Sequence, residues 1–228
     1  MKNNNLVTAL PKAEREHLLA ECKLVTLQAG TLLAQSGRTL RYVYFPIDCY
    51  VALESISSGA TRLGVGLVGA EGMIGGAVIL GAGGIPAQAV VHGSGVAWRL
   101  SRRRFLKLTH ALPNLRRRAL LYLYHSIENV MQHANCSHFH LTEARLAHWL
   151  MLIRDRAGSD QFNLTQKMLA ELLGVRRVGI TLAARALQQL ELIDYRRGRI
   201  TIRNRRGLVA AASECHGQVE TSYRNLLG

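Results

Sequence analysis

The sequence predicts an α+β chain with a strand-rich first part, a long helix and a helical C-terminal part that contains a short hairpin. Three observations predict this order. Short apolar segments separated by glycines run from Leu24 to Leu100, leucines at helical spacing fill Pro113 to Ala134, and two helical patterns precede a strand pair after Leu164. The predicted boundaries are 1–112 for the strand-rich domain, 113–137 for the long helix and 138–228 for the C-terminal domain.

The positive charge of the chain is regional. The 228 residues carry a formal net charge of +14, yet residues 1–100 are nearly balanced, with eight Lys and Arg against six acidic residues. The segment from Arg102 to Arg118 holds seven basic residues and no acidic one. Such an excess indicates a polyanionic partner.

Targeting segments and the cysteines indicate the cellular compartment. The N-terminus lacks an apolar signal core, and no run approaches the roughly 18 apolar residues of a membrane span, so we expect a cytoplasmic protein without a membrane partner. The four cysteines are widely scattered, and reduced thiols are the expectation in that compartment: Cys22, Cys49, Cys136 and Cys215.

The first hundred residues predict one helix and a small barrel or sandwich. Leu6 to Cys22 has the spacing of an amphipathic helix. The apolar segments that follow have the length and the glycine-rich turns of short strands. They are KLVTLQAGTLL, RYVYFP, YVALESI, TRLGVGLVG, QAVVHG and VAWRL.

A short helix is expected after Ser101, and Pro113 suits the first turn of the long one. Apolar residues of the long helix recur at steps of three and four: Leu120, Leu123, Ile127, Val130 and Ala134. This spacing favours packing against a second copy, as in a two-stranded coiled coil, over packing within the same chain. The sequence therefore predicts a homodimer.

A cluster of possible ligands follows the long helix. Cys136, His138 and His140 alternate along the chain, and thiolate and imidazole suit zinc or iron. Because the usual ligand spacings are missing, no metal and no other cofactor is predicted. Metal binding at this hinge and a redox role for Cys136 stay open as alternatives.

A helix is predicted from Leu141 to Ala157, with Thr142 as its expected cap. Two short helices joined by a tight turn are predicted after it. Thr165 is expected to cap the first, and Gly174 to end it, because glycine readily takes the left-handed conformation. The second is predicted from Arg176 to Leu190. Its buried side carries Ile180, Ala184 and Leu187, and its opposite side carries Arg177, Thr181, Arg185 and Gln188.

A basic hairpin follows this second helix. Ile193 to Tyr195 and Ile200 to Ile202 are predicted strands around a turn that contains Arg197 and Arg199. Between Gly174 and Arg206 there are nine arginines against two acidic residues. A helix with a polar outer side suits the major groove, and a basic hairpin suits the phosphates, so double-stranded DNA is the predicted partner. A closing helix is predicted from Arg206 to Leu227.

The run TQKMLAELLGVRRVGITLAARALQQLELIDYRRGRITI resembles the winged helix-turn-helix of the Crp/Fnr family of bacterial transcription regulators. The resemblance implies an N-terminal β-roll related to cyclic-nucleotide-binding domains and RNA polymerase as a further partner. It also places Arg177, Val178 and Leu182 where the family's best-known members carry base-contacting side chains. Val and Leu replace a Glu and an Arg there, so the best-known half-site is not expected. The full set of predicted DNA contacts is Thr165, Gln166, Arg176, Arg177, Val178, Thr181, Arg185, Gln188, Arg197 and Arg199.

The family's cyclic-nucleotide cassette is altered here. The resemblance aligns Gly76 with the cassette's Glu, and Pro86 and Ala87 with its Arg and Ser. A buried phosphate without its Arg loses the charged hydrogen bonds that make such a site favourable. The effector is therefore unknown, and a regulator without an effector is an alternative. An enzyme is disfavoured, because the sequence has no nucleophile elbow, P-loop or metalloprotease helix.

Overall fold

The computed structural model describes residues 3–57, 62–212 and 215–227, and in the last range it describes side chains from 221 onward. The first part begins with two helices and ends with a third: α1 (Asn5–Thr8), α2 (Lys12–Glu21) and α3 (Arg102–Ala111). Between them lie seven strands and a 3-10 helix (Gly76–Leu80). The strands are β1 (Lys23–Leu27), β2 (Leu32–Ala34), β3 (Tyr42–Pro46), β4 (Tyr50–Ile56), β5 (Arg62–Val68), β6 (Gln88–Gly93) and β7 (Gly95–Ser101).

These strands form two antiparallel sheets, in the orders β1-β7-β3 and β2-β6-β4-β5. Val43, Val51 and Val91 point into the core between the sheets, where the first three helices and the start of the long helix also bury their apolar side chains. The six segments predicted to form strands do so, which confirms the strand-rich first part. We call it the roll.

The helix predicted from Leu6 to Cys22 is interrupted, so that prediction is wrong in its middle. Pro11 is the N-cap of α2, and α1 ends at Thr8. Proline lacks an N–H donor and cannot continue a helix from its preceding turn, which accounts for the break. The buried Asn4 caps α1 and donates its side-chain amide to the carbonyls of Pro46 and Gly72, so α1 is fastened to the roll.

The long helix α4 (Pro113–Phe139) is five residues longer than predicted and starts at the expected proline. Glu14 accepts hydrogen bonds from the backbone N–H groups of Asn114 and Leu115 at its first turn. Leu115, Ala119 and Tyr122 pack into the core of the roll. The opposite side of α4 stays exposed, and it is described below.

The described residues of the C-terminal part form five helices and a small sheet. The helices are α5 (Thr142–Ala157), α6 (Gln166–Leu173), α7 (Arg177–Gln189), α8 (Arg205–Ala211) and α9 (Cys215–Leu227), and the strands are β8 (Gln161–Asn163), β9 (Ile193–Arg196) and β10 (Arg199–Ile202). Leu141, without a side-chain hydrogen bond, is the N-cap of α5, so the cap expected from Thr142 is wrong. The single closing helix predicted from Arg206 is instead the pair α8 and α9.

The last helix returns to the roll. Leu227 is buried in the roll's core, and its carbonyl accepts a hydrogen bond of 3.1 Å from Arg118 Nη1 on α4. The Tyr223 hydroxyl donates to the Glu71 carbonyl at 2.9 Å. Burial raises the pKa of Tyr223 to about 12, so this hydroxyl remains a donor at neutral pH.

The roll and the C-terminal part share a packed junction. Gly64 on β5 leaves no room for a side chain, because a Cβ there would lie 2.8 Å from Trp149 on α5 and 2.9 Å from the Leu172 carbonyl on α6. Glu71 pairs with Arg156 of α5 at 2.9 Å, and Arg156 Nε donates to the Leu67 carbonyl. The two parts are therefore held by close packing and by an ion pair.

The cysteines differ in state. Cys22 and Cys49 are free thiols, and burial raises the pKa of Cys22 to about 12 and that of Cys49 to about 11, so neither is a reactive thiolate at neutral pH. Cys136 is buried and disulfide-bonded, so the expectation of a reduced thiol is wrong for this residue. The side chain of Cys215 lies outside the described part of the structure.

Candidate nucleic-acid interface

Helices α6 and α7 form a tight helix-turn-helix. The Thr165 hydroxyl accepts a hydrogen bond from the Met168 N–H, so Thr165 caps α6 as predicted. Gly174 ends α6 with φ of 64°, in the left-handed region. A Cβ at Gly174 would also lie 2.8 Å from Leu63 of β5, so both the backbone and the space favour glycine there.

The inner side of α7 holds it to its domain. Ile180, Ala184 and Leu187 are buried, as predicted, and Ala183 joins them. Leu169, Leu172 and Leu173 of α6 lie in the same core. Because this packing fixes the rotation of α7, it also decides which residues face away from the domain.

The α7 outer face consists of Arg177, Val178, Thr181, Leu182 and Arg185, all exposed to solvent. Arg176 precedes it as the exposed N-cap of α7, with no side-chain capping bond. Gln188 is half-buried near the end of the helix, and Gln166 is half-buried at the start of α6. The structure thus brings the predicted α7 residues to one side of the helix and leaves Gln188 least accessible among them.

The hairpin after α7 has a defined turn. Arg197 has φ of 50° and Gly198 has φ of 81°, and Arg196 pairs with Arg199 across the turn. Two successive residues with positive φ are typical of a two-residue hairpin turn whose twist matches that of its strands. Strand β8, which the sequence did not predict, pairs with β10 and makes this sheet three-stranded.

Several arginines of this region are held by acidic residues. Asp194 pairs with Arg196 at 3.2 Å and with Arg203 at 3.4 Å. In the described part of the chain, no ion pair involves the predicted DNA-contacting arginines, which are Arg176, Arg177, Arg185, Arg197 and Arg199. Their exposed guanidinium groups therefore remain available for phosphates or base edges.

The hairpin and the helix-turn-helix are tied together. The Tyr195 hydroxyl donates to the Leu164 carbonyl at 2.8 Å, just before α6. Burial raises the pKa of Tyr195, and the nearby positive charge of Arg177 opposes that rise. The hairpin is consequently fixed beside the start of α6, and its Tyr195 lies near Arg177 of α7.

A second exposed surface lies on α4. Leu120, Ile127, Val130 and Ala134 of the predicted dimer seam are exposed, whereas Leu123 is half-buried, close to Gly76 of the roll. Tyr124 and Met131, which the sequence prediction missed, are also exposed. The α4 outer face is therefore Leu120, Tyr124, Ile127, Val130, Met131 and Ala134.

The hinge after α4 does not assemble a metal site among the residues that the structure describes, where no group of three possible ligands comes together. The disulfide at Cys136 removes the thiolate that the predicted alternative required. His133, one turn earlier, stacks on Trp149 with 5.1 Å between ring centroids. Burial, with a smaller contribution from the positive charges of Arg156 and Arg145, lowers the pKa of His133 to about 4.

Residues 144–211 match the family of the Crp-like helix-turn-helix domain. The chain carries a Crp-like DNA-binding domain. The matched range begins in α5 and ends with α8, so the Crp-like domain contains α6, α7 and the hairpin, which is its wing, and it excludes α9. A comparison with curated protein sequences gives no match.

Solved structures share most of this architecture. FixK2 from Bradyrhizobium japonicum is 14% identical with a TM-score of 0.71, and the match covers 84% of this chain and 98% of that one. A CRP-family transcriptional regulator from Thermus thermophilus is 14% identical with a TM-score of 0.69, covering 83% and 97%. The c-di-GMP responsive global regulator CLP from Xanthomonas campestris is 16% identical with a TM-score of 0.68, covering 84% and 99%.

At these identities the likeness establishes the fold, which is that of Crp/Fnr regulators. The match of residues 144–211 to the Crp-like helix-turn-helix domain agrees with that fold. In the ranges that the structure describes, no helix is both long and apolar enough to span a bilayer.

Proposed function

We propose that the chain is a cytoplasmic, homodimeric transcription regulator that binds a palindromic DNA site with one α7 helix in each half-site. The observation that carries the proposal is the α7 outer face, whose arginines are exposed, as are those of the wing turn. In this proposal residues 1–112 sense a signal, 113–137 dimerise and 138–228 bind DNA.

The roles of the proposed contacts follow from their positions. The position of Arg177 in the first turn of α7 supports a contact with a base edge, where a guanidinium pairs with guanine. Thr181, Arg185 and Gln188 follow along the same helix, and Val178 lies beside Arg177. Phosphate contacts are assigned to the residues around the helix starts and the wing turn: Thr165, Gln166, Arg176, Arg197 and Arg199.

Dimerisation is supported by the α4 outer face. Ile127 is 59% exposed and Met131 is 63% exposed, although both are large apolar side chains on a helix of 27 residues. Such a face is stabilised when a second copy covers it. Two copies joined along α4 would present two α7 helices to one duplex, as a palindromic site requires.

Two residues of the roll argue against a cyclic nucleotide as the effector. Gly76 and Ala87, which replace the cassette's charged and polar residues, are both buried and carry no polar side chain. A Cβ at Gly76 would lie 3.3 Å from Leu123, so α4 packs closely on this segment. A cyclic phosphate would therefore meet apolar groups instead of a guanidinium.

A second candidate is a regulator that senses redox conditions. The observation that favours it is the disulfide at Cys136, which lies in the last turn of α4, next to the hinge into the DNA-binding domain. Reduction would release this end of α4 from a covalent restraint. RNA polymerase, the partner implied by the resemblance, is compatible with both candidates.

DNA binding is tested first with a random duplex. The affinity should fall steeply with ionic strength, because each phosphate contact releases condensed counterions. With a selected site, Arg177→Ala should lose discrimination at one base position, by about 1 to 3 kcal/mol. Electrophoretic mobility shifts or fluorescence anisotropy measure both effects.

The matched control is Arg103→Ala, which removes an exposed arginine of α3, outside the Crp-like domain. It should leave base discrimination unchanged. An affinity that does not respond to salt would contradict DNA binding through phosphates. An equal loss on every sequence in Arg177→Ala would show that Arg177 contacts only the backbone.

A further inference from the structure

The α7 outer face is more apolar than the polar outer side that helical spacing predicted. Val178 is 68% exposed and Leu182, one turn later, is 58% exposed. The Thr181 hydroxyl donates to the Arg177 carbonyl at 3.1 Å, within the helix itself. Its donor is therefore already used, and its methyl group is the part of this exposed side chain that remains for an apolar contact.

Packing of the protein does not account for these apolar side chains. The core contact of α7 is made by Ile180, Ala183, Ala184 and Leu187 on the other side of the helix. Val178 and Leu182 lie outside that core and stay mostly exposed after folding. Their further burial requires a partner.

The charged residues around Val178 and Leu182 indicate which class of partner can cover them. Arg177 and Arg185 belong to the same face, Arg176 precedes it, and the wing adds Arg197 and Arg199. An apolar protein surface would leave these guanidinium groups without counter-charges, whereas duplex DNA supplies phosphates around a groove. The major groove contains one apolar group, the C5-methyl of thymine.

We propose that Val178 and Leu182, together with the Thr181 methyl group, recognise the C5-methyl groups of thymines in the operator. The proposal rests on the proposed function and adds the chemical class of bases that determines specificity. Each half-site then combines a guanine contacted by Arg177 with thymines contacted by Val178 and Leu182. A 5-methylcytosine at the same position offers the same methyl group.

Thymine-to-deoxyuridine exchange tests the proposal, because it removes only the methyl group. DNA sites are selected from a random duplex library with the full-length protein, and each thymine of the preferred site is replaced singly. At two positions in each half-site the affinity should fall about threefold to tenfold, as expected for one methyl group taken out of an apolar contact. Comparing cytosine with 5-methylcytosine at those positions should show a gain of similar size.

Protein variants show which side chain contacts which thymine methyl group. Val178→Ala should remove the response to deoxyuridine at one position, and Leu182→Ala should remove it at the other. Leu190→Ala is the matched control, because Leu190 is 65% exposed at the end of α7 and lies outside the α7 outer face. It should leave both responses intact.

The proposal is overturned if the selected sites share no thymine, if deoxyuridine has no effect, or if its effect persists in both alanine variants. Failure of the proposed function looks different, because binding to a random duplex would then lack its salt dependence. Since Val178 and Leu182 are exposed and outside the core, unchanged binding of the variants to random DNA also verifies that they fold.

Discussion

Two helices of this protein expose large apolar side chains, and they differ in what surrounds those side chains. The α4 outer face continues over about four turns, and the arginines of α4 lie only before it, at Arg116, Arg117 and Arg118. The α7 outer face holds two apolar residues between arginines. We therefore propose different partners for the two faces: a second copy of the chain for α4, and a polyanion for α7.

The largest expected effect is that of a charge introduced into the α4 outer face. Ile127→Asp should weaken dimerisation by roughly a hundredfold or more, about 3 kcal/mol, because a carboxylate would be removed from water in each copy. Sedimentation velocity over a concentration series measures the dissociation constant. Binding to short random DNA through the α7 outer face should persist.

Leu80→Asp is the control for this variant, because Leu80 is 67% exposed at the end of the 3-10 helix of the roll. It should not change the oligomeric state. A dimer that survives Ile127→Asp would show that the α4 outer face has another role, and the contrast between the two helices would then be lost.

Protonation of His133 tests the packing of α4 against α5. Its pKa is about 4 in the folded chain and near 6.5 when unfolded, so between these values the unfolded chain binds more protons. The stability contributed by neutral His133 is therefore complete above pH 6.5 and is lost as the pH falls towards 4. Urea unfolding at pH 5 should give a free energy about 2 kcal/mol lower than at pH 7 from this residue.

His133→Phe identifies the contribution, since phenylalanine keeps a ring against Trp149 and has no titrating group. The variant should lose less stability between pH 7 and pH 5 than the natural chain does. His125, whose pKa burial also lowers, remains in both proteins and cancels in the comparison. An identical pH dependence in the two proteins would show that His133 is not buried in solution.

The smallest expected effect concerns the ion pair across the junction. Arg156→Gln should lower the free energy of unfolding by about 1 kcal/mol, because it leaves the half-buried Glu71 without its partner. Arg203→Gln, which breaks the more exposed pair with Asp194, should cost less than about 0.5 kcal/mol. Urea unfolding compares the two, and equal losses would mean that the junction is as hydrated as the surface.

Local patterns in the sequence were sufficient for the elements that form through neighbouring residues. The buried side of α7, the Thr165 cap and the wing strands follow from helical spacing, a hydroxyl at a helix start and short alternating segments. The six predicted strand segments of the roll follow in the same way. Fold class and the helix-turn-helix were accordingly predictable.

Features that depend on packing between distant segments were not predictable. On α4, one set of apolar residues includes Leu123 and another includes Tyr124 and Met131, and both have steps of three and four. Only the approach of Gly76 decides that Leu123 faces the roll. The hydrogen bond that occupies the Thr181 hydroxyl and the disulfide at Cys136 likewise leave no sign in the sequence pattern.

The return of α9 to the roll limits how the DNA-binding domain can move. A domain joined to its neighbour at one end can swivel freely about that connection. Here α5 follows α4 directly, and the 13-residue α9 leads the chain back onto α4 and the roll through Tyr223 and Leu227. With both ends anchored, and with α5 and α6 packed on β5, the domain cannot swivel about a single connection. A signal that reorients α7 therefore has to rearrange this junction or detach α9.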